Sequence, residues 1–145
     1  MNSLKNKPLD PVNHAGFLIW QVANNWEKQI NNELKEFGLN QAEYFHLVSL
    51  FWLLENQEEV TQTEIARFAD TIPMNTSKIM TKFEKKGLIT RVAGSDSRSK
   101  SLCITESGEQ IAIQATARLS RLSEQFFDKD DDNNFLNYLK YLKTK

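Results

Sequence analysis

Residues 60–100 read VTQTEIARFADTIPMNTSKIMTKFEKKGLITRVAGSDSRSK, and the order of signals within them decides the fold. Thr61 stands three residues before Glu64, the spacing of a capping box in which hydroxyl and carboxylate satisfy backbone N–H groups at a helix start. A short helix begins there, with Ile65, Ala66, Phe68 and Ala69 as its apolar face. Asp70 and Thr71 interrupt it. Pro73 needs no N–H in a first turn and so opens a second helix, which Gly87 in the C′ position ends near Lys86. Ile79, Met80 and Phe83 recur at helical spacing and face inward. The other side keeps Asn75, Ser77, Lys78, Thr81, Lys82 and Lys85, short hydrogen-bonding groups and cations of the kind that meet base edges and phosphates in a major groove.

The chain beyond that helix is β-prone. Residues 88–92 and 100–104 flank a turn containing Gly94 and Asp96, which predicts a hairpin with Asp96, Ser97 and Arg98 at its tip and Arg91 and Lys100 on its strands. Two helices and then a basic hairpin form a winged helix-turn-helix pattern. Within it Asn75, Ser77 and Lys78 are expected at base edges or nearby phosphates, and Thr81 and Lys82 along the groove wall. Thr76 belongs to the same stretch, but its place in the pattern also allows it to face inward. Thr61, Gln62 and Thr63 are candidates to hold a phosphate at a helix N-terminus. One alternative is an ordinary solvated cationic face; another is that the winged fold serves as a protein-interaction module, against which the basic character of residues 61–100 counts.

The whole chain is slightly acidic, with net charge −1 and pI about 6.1. Partitioning removes the objection to nucleic acid. Residues 61–100 hold eight Lys/Arg and four Asp/Glu, a net of +4, and the remainder holds ten and fifteen, a net of −5. A cationic face on an acidic body orients approach to a polyanion.

Lys85-Lys86-Gly87-Leu88-Ile89, then Arg91 and Asp96-x-Arg98, resembles the MarR family of bacterial winged-helix regulators. Ile104-Thr105-Glu106-Ser107-Gly108 is similar to the family's "LTxxG" start of a long helix, and the likeness reaches Phe17-Leu18-Ile19-Trp20 and Gly38-Leu39-Asn40-Gln41 near the front. The resemblance implies a mainly α fold with a small β-hairpin wing. It implies one domain over residues 1–145, with a DNA-binding region at 41–104 and dimerisation helices at 11–37 and 105–145. Residues 73–86 would be the recognition helix and 88–104 the wing. A homodimer would then place two such helices on a pseudo-palindromic operator in double-stranded DNA, with half-sites roughly 34–36 Å apart or a multiple of that. It further implies a repressor released by a small aromatic or anionic effector. Arg98 would be the wing's DNA contact, braced by Asp96. Trp20, Phe45, His46, Ser49 and Trp52 would line an effector cleft between the first two helices, the alternative being that they are core.

The remaining chain supplies support for this region. Asp10-Pro11 starts a helix expected over residues 11–37, with Ile19, Ala23, Trp26, Ile30, Leu34 and Phe37 as its stripe. Its apolar surface before Trp26 exceeds what one small domain covers. Asn40 and Glu43 form a second capping box, opening a helix with almost no polar face, and Val60 is placed to add a short strand beside the wing. After Thr105 a helix runs to about residue 127. The acidic run 128–132 then caps a last helix, the alternative being a metal site. Phe135, Leu136, Tyr138, Leu139, Tyr141 and Leu142 cover more than one face of that helix and ask for a second chain.

Two histidines and one cysteine make neither a metal-ligand set nor a nucleophilic triad, so no enzyme activity, cofactor or metal is expected. A single cysteine forms no internal disulfide, no long apolar run suggests a membrane span, and a cytoplasmic setting is expected. Cys103 is read as a small strand residue, with a redox sensor as the alternative.

Overall fold

The computed structural model describes residues 10–95, 99–128 and 130–145. The front of the chain departs from the expected single helix. Pro11–Asn13 form one 3-10 turn capped by Asp10, His14 is extended, and α1 (Ala15–Leu34) starts only after it. The reason is a second cap: His14 Nδ1 accepts from the Phe17 N–H at 3.2 Å, so the α-helical register is set from the imidazole. A 3-10 turn over Lys35–Phe37 and Gly38, at φ +70°, end this segment.

Helix α2 (Gln41–Asn56) starts at the capping box, with Asn40 Oδ1 accepting from Glu43 N–H at 2.9 Å and Glu43 Oε1 from Asn40 N–H at 3.0 Å. It is the central element and packs against α1, α3 (Gln62–Phe68), α4 (Pro73–Lys85), β2 (Lys100–Ile104) and α5 (Glu106–Phe127). Leu47 and Leu50 from α2 meet Ile30 and Leu34 of α1, Ile65 of α3, Met80 and Phe83 of α4 and Leu102 of β2 in one core. β1 (Ile89–Ala93) pairs antiparallel with β2, Ile89 opposite Ile104 and Ala93 opposite Lys100. Val60 adds no third strand among the described residues. It contributes a single bond, its carbonyl accepting from the Leu102 N–H at 2.8 Å.

The start of α5 explains why a glycine is needed there. Thr105 donates its N–H to the Leu88 carbonyl at 3.0 Å and its hydroxyl to the Gly87 carbonyl at 2.7 Å, and accepts from the Gly108 N–H at 3.1 Å. A Cβ on Gly108 would lie 2.2 Å from the Leu88 oxygen. Helix and turn therefore touch backbone to backbone.

The acidic run caps α6 (Asn134–Lys143): the Asp130 carboxylate accepts from the N–H groups of Phe135 at 3.3 Å and Leu136 at 3.1 Å. Trp26 packs edge-on against Phe126 and at a tilt against Phe127, and Phe135 packs at a tilt against Phe127, which joins α1, α5 and α6. Beyond those contacts Leu18, Ile19, Trp20 and Val22 on α1, and Phe135, Leu136, Tyr138 and Tyr141 on α6, remain exposed. No described helix is long and apolar enough to cross a membrane.

Candidate nucleic-acid interface

The turn between α3 and α4 sets the second helix. Asp70 adopts φ +54°, the Thr71 N–H reaches back to the Ala66 carbonyl at 2.9 Å, and Ile72 is extended before Pro73 in the first turn of α4. Thr76, Met80 and Phe83 are buried and Ile79 is half-buried, which gives α4 its inward face. Thr76 corrects the sequence reading, since its side chain is sealed in the interior and offers nothing to DNA. Its hydroxyl meets His46 Nε2 at 3.0 Å and the Thr71 hydroxyl at 2.8 Å. His46 Nδ1 lies 2.6 Å from the Ala42 carbonyl, which only accepts, so that nitrogen carries a proton. This cluster fastens α4 to α2, and a buried hydroxyl without such partners would be costly.

Asn75, Lys78, Thr81 and Lys85 stand exposed on the other side, with Ser77 half-buried at the edge. Lys82 shares this side, but its Nζ sits 2.6 Å from Glu43 Oε2. That ion pair serves a carboxylate of which only 6% of the side chain is exposed. Lys82 is thereby held to α2 rather than left free for phosphates. Lys78, Lys85 and Lys100 are exposed and carry no ion pair among the described residues.

At the start of α3 the polar groups are largely engaged. Thr61 Oγ1 accepts from the Glu64 N–H, and Glu64 Oε2 accepts from the Thr61 N–H, both at 3.3 Å. A carboxylate thus occupies the helix start where a phosphate was expected, and like charges repel. Gln62 Oε1 accepts from Arg91 Nη1 at 3.1 Å, while Arg91 Nε lies 3.6 Å from Glu84 Oε2. Arg91 therefore ties β1 to α3 and α4 and acts as a brace. Thr63 remains exposed.

The hairpin's tip residues Asp96 and Arg98 lie outside the described residues. Its base is anchored by a residue the sequence reading passed over. Glu59 accepts from the Ser95 N–H at 3.0 Å and the Ser95 hydroxyl at 2.7 Å. An acidic residue in a polar turn carries no local signal of that role.

The five residues expected to line one cleft are split between different places. A groove of about 990 Å³ runs between α2 and α5, lined by Phe45, Ser49 and Trp52 of α2, Phe68 of α3, and Ile113 and Thr116 of α5 among others. Trp20 lies on the exposed front of α1, and His46 points from α2 into the Thr71–Thr76 cluster, so neither lines it. The α-helical period separates them: Phe45, Ser49 and Trp52 succeed one another at steps of four and three on one face, and His46 falls on the next. Among the described residues Glu55 is the only ionisable group in the lining, which offers no cation to an anionic ligand. Tyr44 of α2 bonds the Thr116 hydroxyl of α5 at 2.8 Å, and burial pushes its phenol above the ordinary range despite that bond.

Comparison with known proteins places this arrangement. The sequence profile of the MarR family matches residues 40–100. The HTH-type transcriptional regulator YdcH of Bacillus subtilis strain 168 is 31% identical over 134 residues, covering 91% of each chain. Of solved structures, CouR from Rhodococcus jostii RHA1 bound to p-coumaroyl-CoA has a TM-score of 0.81 at 24% identity, over 94% of each chain. The S. aureus MepR–DNA complex has a TM-score of 0.76 at 17% identity, over 90% of this chain and 94% of the other. At those identities the two structures speak to the fold.

Proposed function

The chain belongs to the MarR family and is a transcriptional regulator, not an enzyme; on that premise we propose that it is a repressor that binds a pseudo-palindromic operator as a homodimer. The observation that carries the reading is the solvent side of α4, where Asn75, Lys78, Thr81 and Lys85 stand exposed while the inward side is locked to α2 through Thr76 and His46. Residues 41–104 are the reading region. Residues 11–37 and 105–145 supply the dimer contact, supported by the apolar surface exposed on α1 and α6. In this reading Lys100 and the hairpin tip, with Arg98, track the DNA backbone beside the groove.

Release by a small aromatic effector fits the groove beside α2. Phe45 lines it, and the next residue, His46, holds the cluster that seats α4, so a ligand that shifts α2 shifts the reading helix. Such a ligand must favour the DNA-incompetent state, because equal affinity for both states moves nothing. That MepR is solved with DNA and CouR with p-coumaroyl-CoA supports a regulator that meets both duplex DNA and a small molecule.

The test is a fluorescence-anisotropy titration of the dimer, its mass checked by sedimentation, against DNA upstream of its own gene and a scrambled duplex across a salt series. Affinity should fall steeply with salt, each phosphate contact contributing about −0.9 to the slope of log K against log salt. Lys78→Ala should weaken binding and reduce that slope by about 1. Salt-independent binding, or an unchanged Lys78→Ala variant, would sink the assignment.

A further inference from the structure

We infer that Met74 reads thymine C5-methyl groups and makes a thymine at one fixed position of each half-site part of the operator's specificity. The inference rests on the DNA-binding role proposed for α4. From Met74, steps of four, three and four residues reach Lys78, Thr81 and Lys85, which lie in one line along the helix. Buried Thr76, Met80 and Phe83 lie on roughly the opposite side, so this line is the centre of the outward face, and Asn75 stands on its flank. Met74 is 67% exposed, and Ile72, just before Pro73, is 66% exposed. The stripe is thus apolar in the first turn and cationic beyond it. Lys78 and Lys85, free of ion pairs among the described residues, fit phosphates, but a methionine between them and the helix start does not.

In a helix-turn-helix the first residues of the second helix reach base edges. The thymine methyl is the apolar group the major groove presents, and apolar side chains read it by contact. Methionine is unbranched and polarisable, and adapts its shape to such a contact. Where cytosine replaces thymine, the methyl is absent and an N4 donor meets a sulfur that accepts only weakly.

The test uses the full-length protein and duplexes recovered by selection from a random-sequence library. Each thymine of the recovered site is replaced singly by deoxyuridine, which removes the methyl and leaves base pairing unchanged. Burial of one methyl is worth roughly fourfold in affinity. Wild type should lose roughly fourfold at one thymine per half-site, and Met74→Ala should bind the unmodified site more weakly yet be indifferent to that replacement. Met74→Leu, which keeps an apolar tip, should retain the sensitivity. Met74 is exposed, so circular dichroism should report an unchanged fold in both variants. A selected site that tolerates every replacement, or a methyl effect that persists in Met74→Ala, overturns the inference while the DNA-binding role stands. Failure of wild type to enrich any duplex overturns that role and the inference with it.

Discussion

Gly108→Ala sets two effects of opposite sign against each other. Within an α-helix, alanine is favoured over glycine by about 1 kcal/mol, so propensity alone predicts a gain in stability. The packing predicts a loss. A Cβ would sit 2.2 Å from the Leu88 carbonyl oxygen and 2.8 Å from Ile104 Cγ1, and contacts to a Cβ essentially never fall below 3.0 Å. The first turn of α5 must therefore withdraw by at least 0.8 Å from a backbone atom. Withdrawal breaks the bonds of Thr105 to the Leu88 and Gly87 carbonyls, about 1 kcal/mol each. Overpacking adds about 1–3 kcal/mol. Subtracting the propensity gain leaves a net loss of about 2–4 kcal/mol. Urea denaturation monitored by circular dichroism, at one fixed protein concentration because assembly shifts apparent stability, reads this as a lower midpoint at unchanged slope. Gly87→Ala is the control: its φ is +74° and nothing lies within 4 Å of the added carbon, so it should lose only about 1 kcal/mol of backbone strain. A Gly108→Ala protein as stable as wild type, or more so, would refute the close approach.

Thr76→Val removes the hydroxyl that joins His46 and Thr71; it should lose about 1–3 kcal/mol in the same denaturation assay and leave the salt slope of DNA binding unaltered. Lys82→Ala strands the buried Glu43 Oε2 and should lose about 1–3 kcal/mol, less than a fully buried pair because half of Lys82 is exposed, whereas Lys78→Ala should stay within about 0.5 kcal/mol of wild type. Tyr44→Phe should lose about 1 kcal/mol near pH 8 through the missing bond to Thr116. Burial raises the folded pKa of Tyr44, so the unfolded chain ionises first and wild type loses stability as pH climbs from about 10 through the raised value; the variant has no such loss, and its deficit should shrink there. A deficit constant from about pH 8 to 11 would contradict the buried phenol.

The elements were legible because their signals are local. The Asn40–Glu43 and Thr61–Glu64 boxes, Pro73 in the first turn of α4 and Gly87 at its end act within a few residues, and each marks the observed boundary to within one or two residues. The misplaced start of α1 has the same cause. Asp10-Pro11 is a proper N-terminus, but the imidazole of His14 offers a second cap a turn later, and only the three-dimensional outcome shows which one begins the α-helix. The glycine of Ile104-Thr105-Glu106-Ser107-Gly108 could be recognised as part of a pattern, whereas its physical cause, a carbonyl twenty residues earlier, belongs to the packed structure.

The candidate site was less legible because a polar residue's availability is decided by its partner, and partners are distant in sequence. Lys78 and Lys82 are one helical turn apart and chemically identical, yet Glu43, on another helix, takes Lys82 and leaves Lys78 free among the described residues. Thr76 and Thr81 lie on one helix with the same hydroxyl; His46, thirty residues before the first of them, draws only that one inward. Arg91 looks like a wing cation until Gln62 and Glu84 are set beside it. Glu59 carries no signal at all until Ser95 folds back onto it, thirty-six residues later. Periodicity and capping thus determine which face of α4 is offered, and buried carboxylates and hydroxyls elsewhere in the chain determine which groups on that face remain to meet a partner. The same logic singles out Met74: it stands exposed, and its apolar tip lies where the cationic line begins.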